Sequence, residues 1–137
     1  MKVINKKLGN DFEQELCQIL ADAGYWTHNF ANRKNGQPAD IIAVKGGMSY
    51  LIDAKVCSND VFRFSRIEEN QRYAMDAWIA AGNTSPYFAV KMSSGVYMVS
   101  YAAIKEFEEK GKKQFTEKEA RCFFKLNDWV RFTTSCL

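Results

Sequence analysis

Asp40, Asp53 and Lys55 are the residues of this sequence whose types and spacing could do chemistry. Asp53 and Lys55 flank Ala54 in the β-prone run Met48 to Cys57, MSYLIDAKVC. Residues two apart on a strand share a face. Asp53 and Lys55 therefore project together, while Ile52, Ala54 and Val56 face the other way and mark a central, covered strand. A carboxylate and an ammonium on such a strand are costly to bury unless they meet partners or a metal. Asp40 supplies a second carboxylate. Gly46-Gly47 separates the run Ala39 to Lys45 from Met48 to Cys57, so the two form a hairpin with a tight primed turn. Pairing symmetric about that turn sets residue 40 opposite residue 53, both side chains on one face, with Cβ atoms roughly 4.5–5.5 Å apart. Like charges so placed repel in water. Around a divalent cation the same placement becomes favourable, and hard carboxylate oxygens suit Mg²⁺ or Mn²⁺. A register slip of one residue would put the aspartates on opposite faces. The plain alternative is a solvated Asp53–Lys55 pair on a sheet edge, since D-x-K alone is a weak motif.

The elements that must position these residues follow from periodicity. A helix is expected from about Asn10 to Ala23, with Asn10 as N-cap, Glu13 as its capping-box partner and a buried stripe of Phe12, Leu16, Ile19, Leu20 and Ala23. Gly24 ends it. Tyr25 to Ala31 reads as a strand before the hairpin. A polar loop, Ser58 to Phe64, leads to a second helix opened by Ser65 and Glu68 as a capping box and running to about Ala81. Tyr87 to Met92 and Val96 to Val99 read as two more strands. Ser100 caps a third helix ending near Gly111. Lys112 to Leu137 is mixed, with a possible strand at Arg121 to Lys125. The order is α-β-β-β-α-β-β-α, an α/β fold with a mixed central sheet flanked by helices. The chain is expected to form one domain, with its core at about 7–110 and a loosely attached extension at 112–137.

Composition narrows the chemistry. The 137 residues are 47% apolar and 26% charged, the mix of a globular protein with a real core. His28 is the one histidine, which excludes HExxH and other multi-histidine metal sites. The four cysteines, at 17, 57, 122 and 136, show no CxxC spacing, and free thiols fit a reducing cytosol. The basic N-terminus lacks an apolar h-region, so no signal peptide is expected, and no run is apolar enough for a membrane span. Carboxylates and lysine are the tools that remain.

Taken together, Gly9, Phe12, Glu13, Glu15 and Leu16 on the first helix, P-A-D-I-I-A-V-K at 38–45, the glycine turn, Y-L-I-D-A-K at 50–55 and E-N-Q at 69–71 resemble the PD-(D/E)xK nuclease superfamily. Within it they are similar to the archaeal-type Holliday junction resolvases and their bacterial and phage relatives. The resemblance covers roughly residues 7 to 105. Ala39 stands between Pro38 and Asp40, and position 53 carries Asp where the junction resolvases usually carry Glu. The resemblance implies a restriction-endonuclease-like fold and a metal-dependent endonuclease that hydrolyses DNA phosphodiesters, with branched or Holliday junction DNA as substrate in recombination and repair. It implies that Asp40 and Asp53 bind Mg²⁺ (or Mn²⁺) with the Ala54 carbonyl, and that Glu13 reaches the site directly or through water. Lys55 would orient the attacking water and stabilise the pentacovalent transition state, and Gln71 would hydrogen-bond the water or a phosphate. Glu13 keeps its reading as a helix-capping acid, and Gln71 its reading as a core-edge residue. A homodimer in the cytoplasm of a bacterial, archaeal or phage-infected cell is implied in the same way.

Basic residues cluster beside these segments: Lys6 and Lys7 ahead of the first helix, Arg33 and Lys34 beside Asp40, and Arg63, Arg66 and Arg72 after the Asp53 strand. They are the candidate DNA contacts, salt-dependent and sequence-independent. The net charge of +3 then reads as a basic face partly offset by acids in the C-terminal third. The competing functions are a nuclease-like module that binds nucleic acid or protein without turnover, and a nuclease of the same fold acting on another DNA in restriction or repair.

Overall fold

The computed structural model describes residues 2–30 and 39–135, the first five of them by backbone alone. Six strands form one mixed sheet in the order β1-β2-β3-β5-β6-β8: β1 (Trp26–Asn29), β2 (Ile41–Lys45), β3 (Met48–Val56), β5 (Tyr87–Met92), β6 (Gly95–Ser100) and β8 (Phe124–Lys125). β3 and β5 are parallel, as a crossover through a helix requires, and the other pairs are antiparallel. One face carries α1 (Lys2–Asp22) and α5 (Leu126–Ser135). The other carries α2 (Glu69–Ala80) and α3 (Tyr101–Glu109). Alternation sorts the side chains of β3: Ile52 joins the core under α1, and Leu51 joins the core under α2. Among the described residues no helix is long and apolar enough to cross a membrane.

The hairpin has the expected register. Ile41 faces Ile52, Val44 faces Ser49 and Lys45 faces Met48, so the ladder is symmetric about Gly46-Gly47. Both glycines have positive φ, +57° and +82°, which a type I′ turn demands and a side chain resists. Asp40 continues this ladder by donating its backbone N–H to the Ile52 carbonyl at 3.2 Å.

Two helix starts differ from expectation. α1 begins at Lys2, so Asn10 lies inside the helix and does not cap it. Residues 2–9 contain no proline and three lysines of good helical propensity, and one interior glycine, Gly9, costs only about 1 kcal/mol. Glu13 is thereby released from capping. α2 begins at Glu69 behind Glu68, and the S-x-x-E at 65–68 is not its capping box. Phe64 and Ile67 are both buried, and the Ile67 N–H closes a 3-10 turn, Phe64–Arg66, onto the Phe64 carbonyl. The box actually formed is Glu68 with Gln71, whose Oε1 accepts from the Glu68 N–H at 3.2 Å.

Beyond residue 112 the chain builds into the fold. β7 (Gln114–Thr116) pairs with β4 (Val61–Arg63) in a small second sheet. α4 (Glu117–Ala120) and β8 follow, and α5 seats Trp129 with no exposure against Tyr25, Tyr50 and Tyr87 at ring-centroid distances of 5.0–6.0 Å.

Candidate active site

β2 and β3 bring Asp40 and Asp53 to one end of the sheet, α1 brings Glu13 over that end, and the start of α2 brings Gln71. These residues, with Lys55 and Arg66, line a cleft of about 640 Å³. Asp53 is 1% exposed and is the one charged residue among the buried side chains described. Its Oδ1 accepts from Gln71 Nε2 at 2.9 Å, and its Oδ2 lies 3.0 Å from Lys55 Nζ. Lys55 Nζ is also held by Gln71 Oε1 and by the Arg66 carbonyl, each at 3.3 Å. Asp40 Oδ2 accepts the Ala54 N–H at 2.8 Å, which anchors it across the ladder.

These contacts set the charge state. Burial, and then the neighbouring Asp40, push the Asp53 carboxyl up to about 8, against a smaller pull from Lys55. Burial also raises Asp40, partly offset by its hydrogen bonds with Asp53 and with the Ala54 N–H. Glu13 is raised by burial and by Asp53, and its contacts with Asp40 and Lys55 act the other way. Burial and mutual repulsion thus oppose the three carboxyls ionising together.

Among the described residues no group of three or more His, Cys, Asp or Glu side chains is placed to hold a metal ion. The donors nevertheless fit a hard divalent cation. Asp53 Oδ2 is buried, and although Lys55 is in ion-pair range, no aligned hydrogen bond uses this oxygen. The neighbouring Asp40 offers a second hard oxygen, and Ala54 and Glu13 line the same cleft.

The other sequence-based candidates divide. Arg63 and Arg66 line the cleft, and Arg66 is pinned by its guanidinium to the Val56 carbonyl at 2.9 Å and to Cys57 Sγ at 3.3 Å. Lys7 is exposed on α1, two residues from Gly9 at the cleft wall. The structure takes Arg72 elsewhere: its guanidinium makes a bidentate pair with Glu108 of α3, both bonds at 2.9 Å, facing a second groove. The side chain of Lys6, and all of Arg33 and Lys34, lie outside what the structure describes. Glu15 is exposed and pairs with Lys91 at 3.5 Å. Sequence reasoning missed the 3-10 turn whose carbonyl holds Lys55. The only sequence signal for it was an apolar pair, Phe64 and Ile67, at a spacing of three.

With this geometry in hand, the profile of the archaeal Holliday junction resolvase family matches residues 4–135. No curated protein matches the sequence. Among solved structures, the chain is similar to Archaeoglobus fulgidus Hjc, described as a Holliday junction resolvase from an archaeal hyperthermophile. The TM-score is 0.66 at 17% identity, over 89% of this chain and 94% of that one, a likeness of fold.

Proposed function

The chain belongs to the archaeal Holliday junction resolvase family, and from that premise we propose that it is a metal-dependent endonuclease that cuts branched DNA at the Asp40–Asp53–Lys55 cleft. The observation that carries the reading is the buried Asp53, held between Gln71 and Lys55 and opposed by Asp40. A structural ion pair gains little from such burial, whereas a catalytic centre needs its groups held in place before the substrate arrives.

Asp40 and Asp53, with Glu13 and the Ala54 carbonyl, would hold a divalent cation, Mg²⁺ or Mn²⁺. When bound, that cation supplies charge neutralisation at the scissile phosphate and a lowered pKa for water. The chain's own residues do the rest. Lys55 Nζ, held by Gln71 Oε1 and the Arg66 carbonyl, keeps a third N–H to donate toward the attacking water or the charge developing on the phosphate. Gln71 holds Asp53 by its amide N–H and Lys55 by its amide oxygen, so one side chain sets the spacing of both. Arg63, Arg66 and Lys7 contact backbone phosphates. Symmetric resolution of a junction needs two such clefts, so the working form is a homodimer, acting in the DNA-containing cytoplasm.

The test is cleavage of a four-way junction, a linear duplex and a single strand, each with Mg²⁺ and with EDTA. Junction cleavage that needs the metal is expected. Absence of cleavage of every substrate, or equal cleavage in EDTA, would overturn the proposal.

A further inference from the structure

A second groove of about 610 Å³ adjoins the active-site cleft, and Arg63 lines both. Its floor is Phe64 and Ile67, and its far wall is the turn from the end of α3 into β7, with Lys112 and Lys113. The two walls are tied together. Arg63 of β4 faces Gln114 of β7, and the Phe64 N–H donates to the Lys113 carbonyl at 3.0 Å. Glu108 is the acid that lines the groove, and Arg72 saturates both of its carboxylate oxygens. Lys112 is paired with Glu119. Among the described residues no ion pair engages Arg63, Arg66 or Lys113. Three uncompensated cations therefore run from the cleft, over the β4–β7 ribbon, into the groove.

We propose that this groove carries the sugar–phosphate backbone of a duplex arm leaving the branch point, with Arg63 and Lys113 on its phosphates. The inference rests on the nuclease reading above and adds to it the surface that measures the arm. Charge complementarity selects the occupant: free cations at the rim meet phosphates, and the apolar floor meets the deoxyribose faces between them. Such contacts carry no sequence information and position the strand. The sequence placed Lys113 in an acidic C-terminal third; pairing of β7 with β4 delivers it to the catalytic side.

The experiment measures binding of a long-armed four-way junction, in EDTA, over a range of salt. Lys113→Glu is compared with Lys118→Glu, the same charge reversal on an exposed lysine of α4 that lines neither cavity. Lys113→Glu should weaken binding roughly tenfold at low salt and reduce the salt slope by about 1, the value of one phosphate contact. Lys118→Glu should do much less. Closing the arms with hairpins a few base pairs from the branch should abolish the difference between the two variants. Equal losses for both, or a loss that persists on short arms, would overturn the proposal. So would unchanged binding by Lys113→Glu, which would leave the groove to an acidic peptide. A wild type that cuts junctions while Lys113→Glu binds normally sinks this inference alone. A wild type that neither binds nor cuts sinks the nuclease reading.

Discussion

Asp53 is tolerated at 1% exposure because a proton, Gln71 and Lys55 share the cost of burying it. Each partner has a separable effect. Lys55→Ala should lower junction cleavage by about 100-fold or more while junction binding persists, as expected for a group that acts on transition-state charge. Because Lys55 lowers the Asp53 pKa, the same variant should shift the alkaline-rising limb of its residual pH–rate profile to higher pH. Full activity, or an unmoved limb, would remove Lys55 from the site. Gln71→Ala should reduce cleavage by roughly ten- to a hundredfold, because it frees Asp53 Oδ1 and Lys55 Nζ together. Gln71→Glu should not rescue it: a fourth carboxyl accepts from Lys55 but, when ionised, cannot donate to Asp53. A fully active Q71E variant would show that the bridging geometry is unnecessary.

At the scale of elements, the hairpin turn controls whether the two aspartates meet. Gly47 has φ +82° and no atom within 4 Å of a would-be Cβ, so its cost of substitution is conformational. Gly47→Ala should destabilise by about 1 kcal/mol and Gly47→Asn by less, with cleavage by the folded protein retained. Equal unfolding midpoints for the two would contradict the turn assignment. This turn was legible in the sequence because Gly-Gly and two alternating flanks leave one register that keeps the apolar residues inside. The boundaries of α1 and α2 were less legible. Both sequences offered a plausible cap, Asn10 and Ser65, and tertiary burial of Phe64 and Ile67 overrode the second. β4 and β7 span three residues each, too short for any periodicity to register, whereas the two residues of β8 fall within the strand expected at Arg121 to Lys125. The Arg72–Glu108 pair joins residues 36 apart, and nothing local announces it. The carboxylates and Lys55 were readable because their spacing is local to one hairpin. The cation track through Lys113 was not, because its parts are brought together only by the β4–β7 pairing.

For the molecule as a whole, the proposed metal site would link stability and metal loading through the same carboxyls. In the unfolded chain Asp53 loses its proton near 3.8, while in the folded protein it holds the proton to about 8. Between those values the native state binds more protons than the unfolded state, so stability falls as pH rises. The contribution is fully present below about pH 4 and is lost progressively on approach to pH 8. Its size is on the order of a few kcal/mol, and Asp40 and Glu13, both raised, change it in the same direction. A divalent cation bound at the proposed site would favour the ionised carboxylates and reverse the slope, since binding it would release protons. Thermal unfolding in EDTA should therefore give a midpoint several degrees lower at pH 8 than at pH 5, with Mg²⁺ restoring the loss at pH 8. Asp53→Asn cannot ionise, so its midpoint in EDTA should fall less across this range than the wild type's, by what Asp40 and Glu13 still contribute, and should exceed the wild type at pH 8. It should gain little from Mg²⁺ and should not cut junctions. A wild-type midpoint that climbs from pH 5 to pH 8 in EDTA, in parallel with Asp53→Asn, would show that Asp53 is ionised without a cation. The cleft would then be a satisfied ion-pair network, its buried acid answered by Lys55 alone.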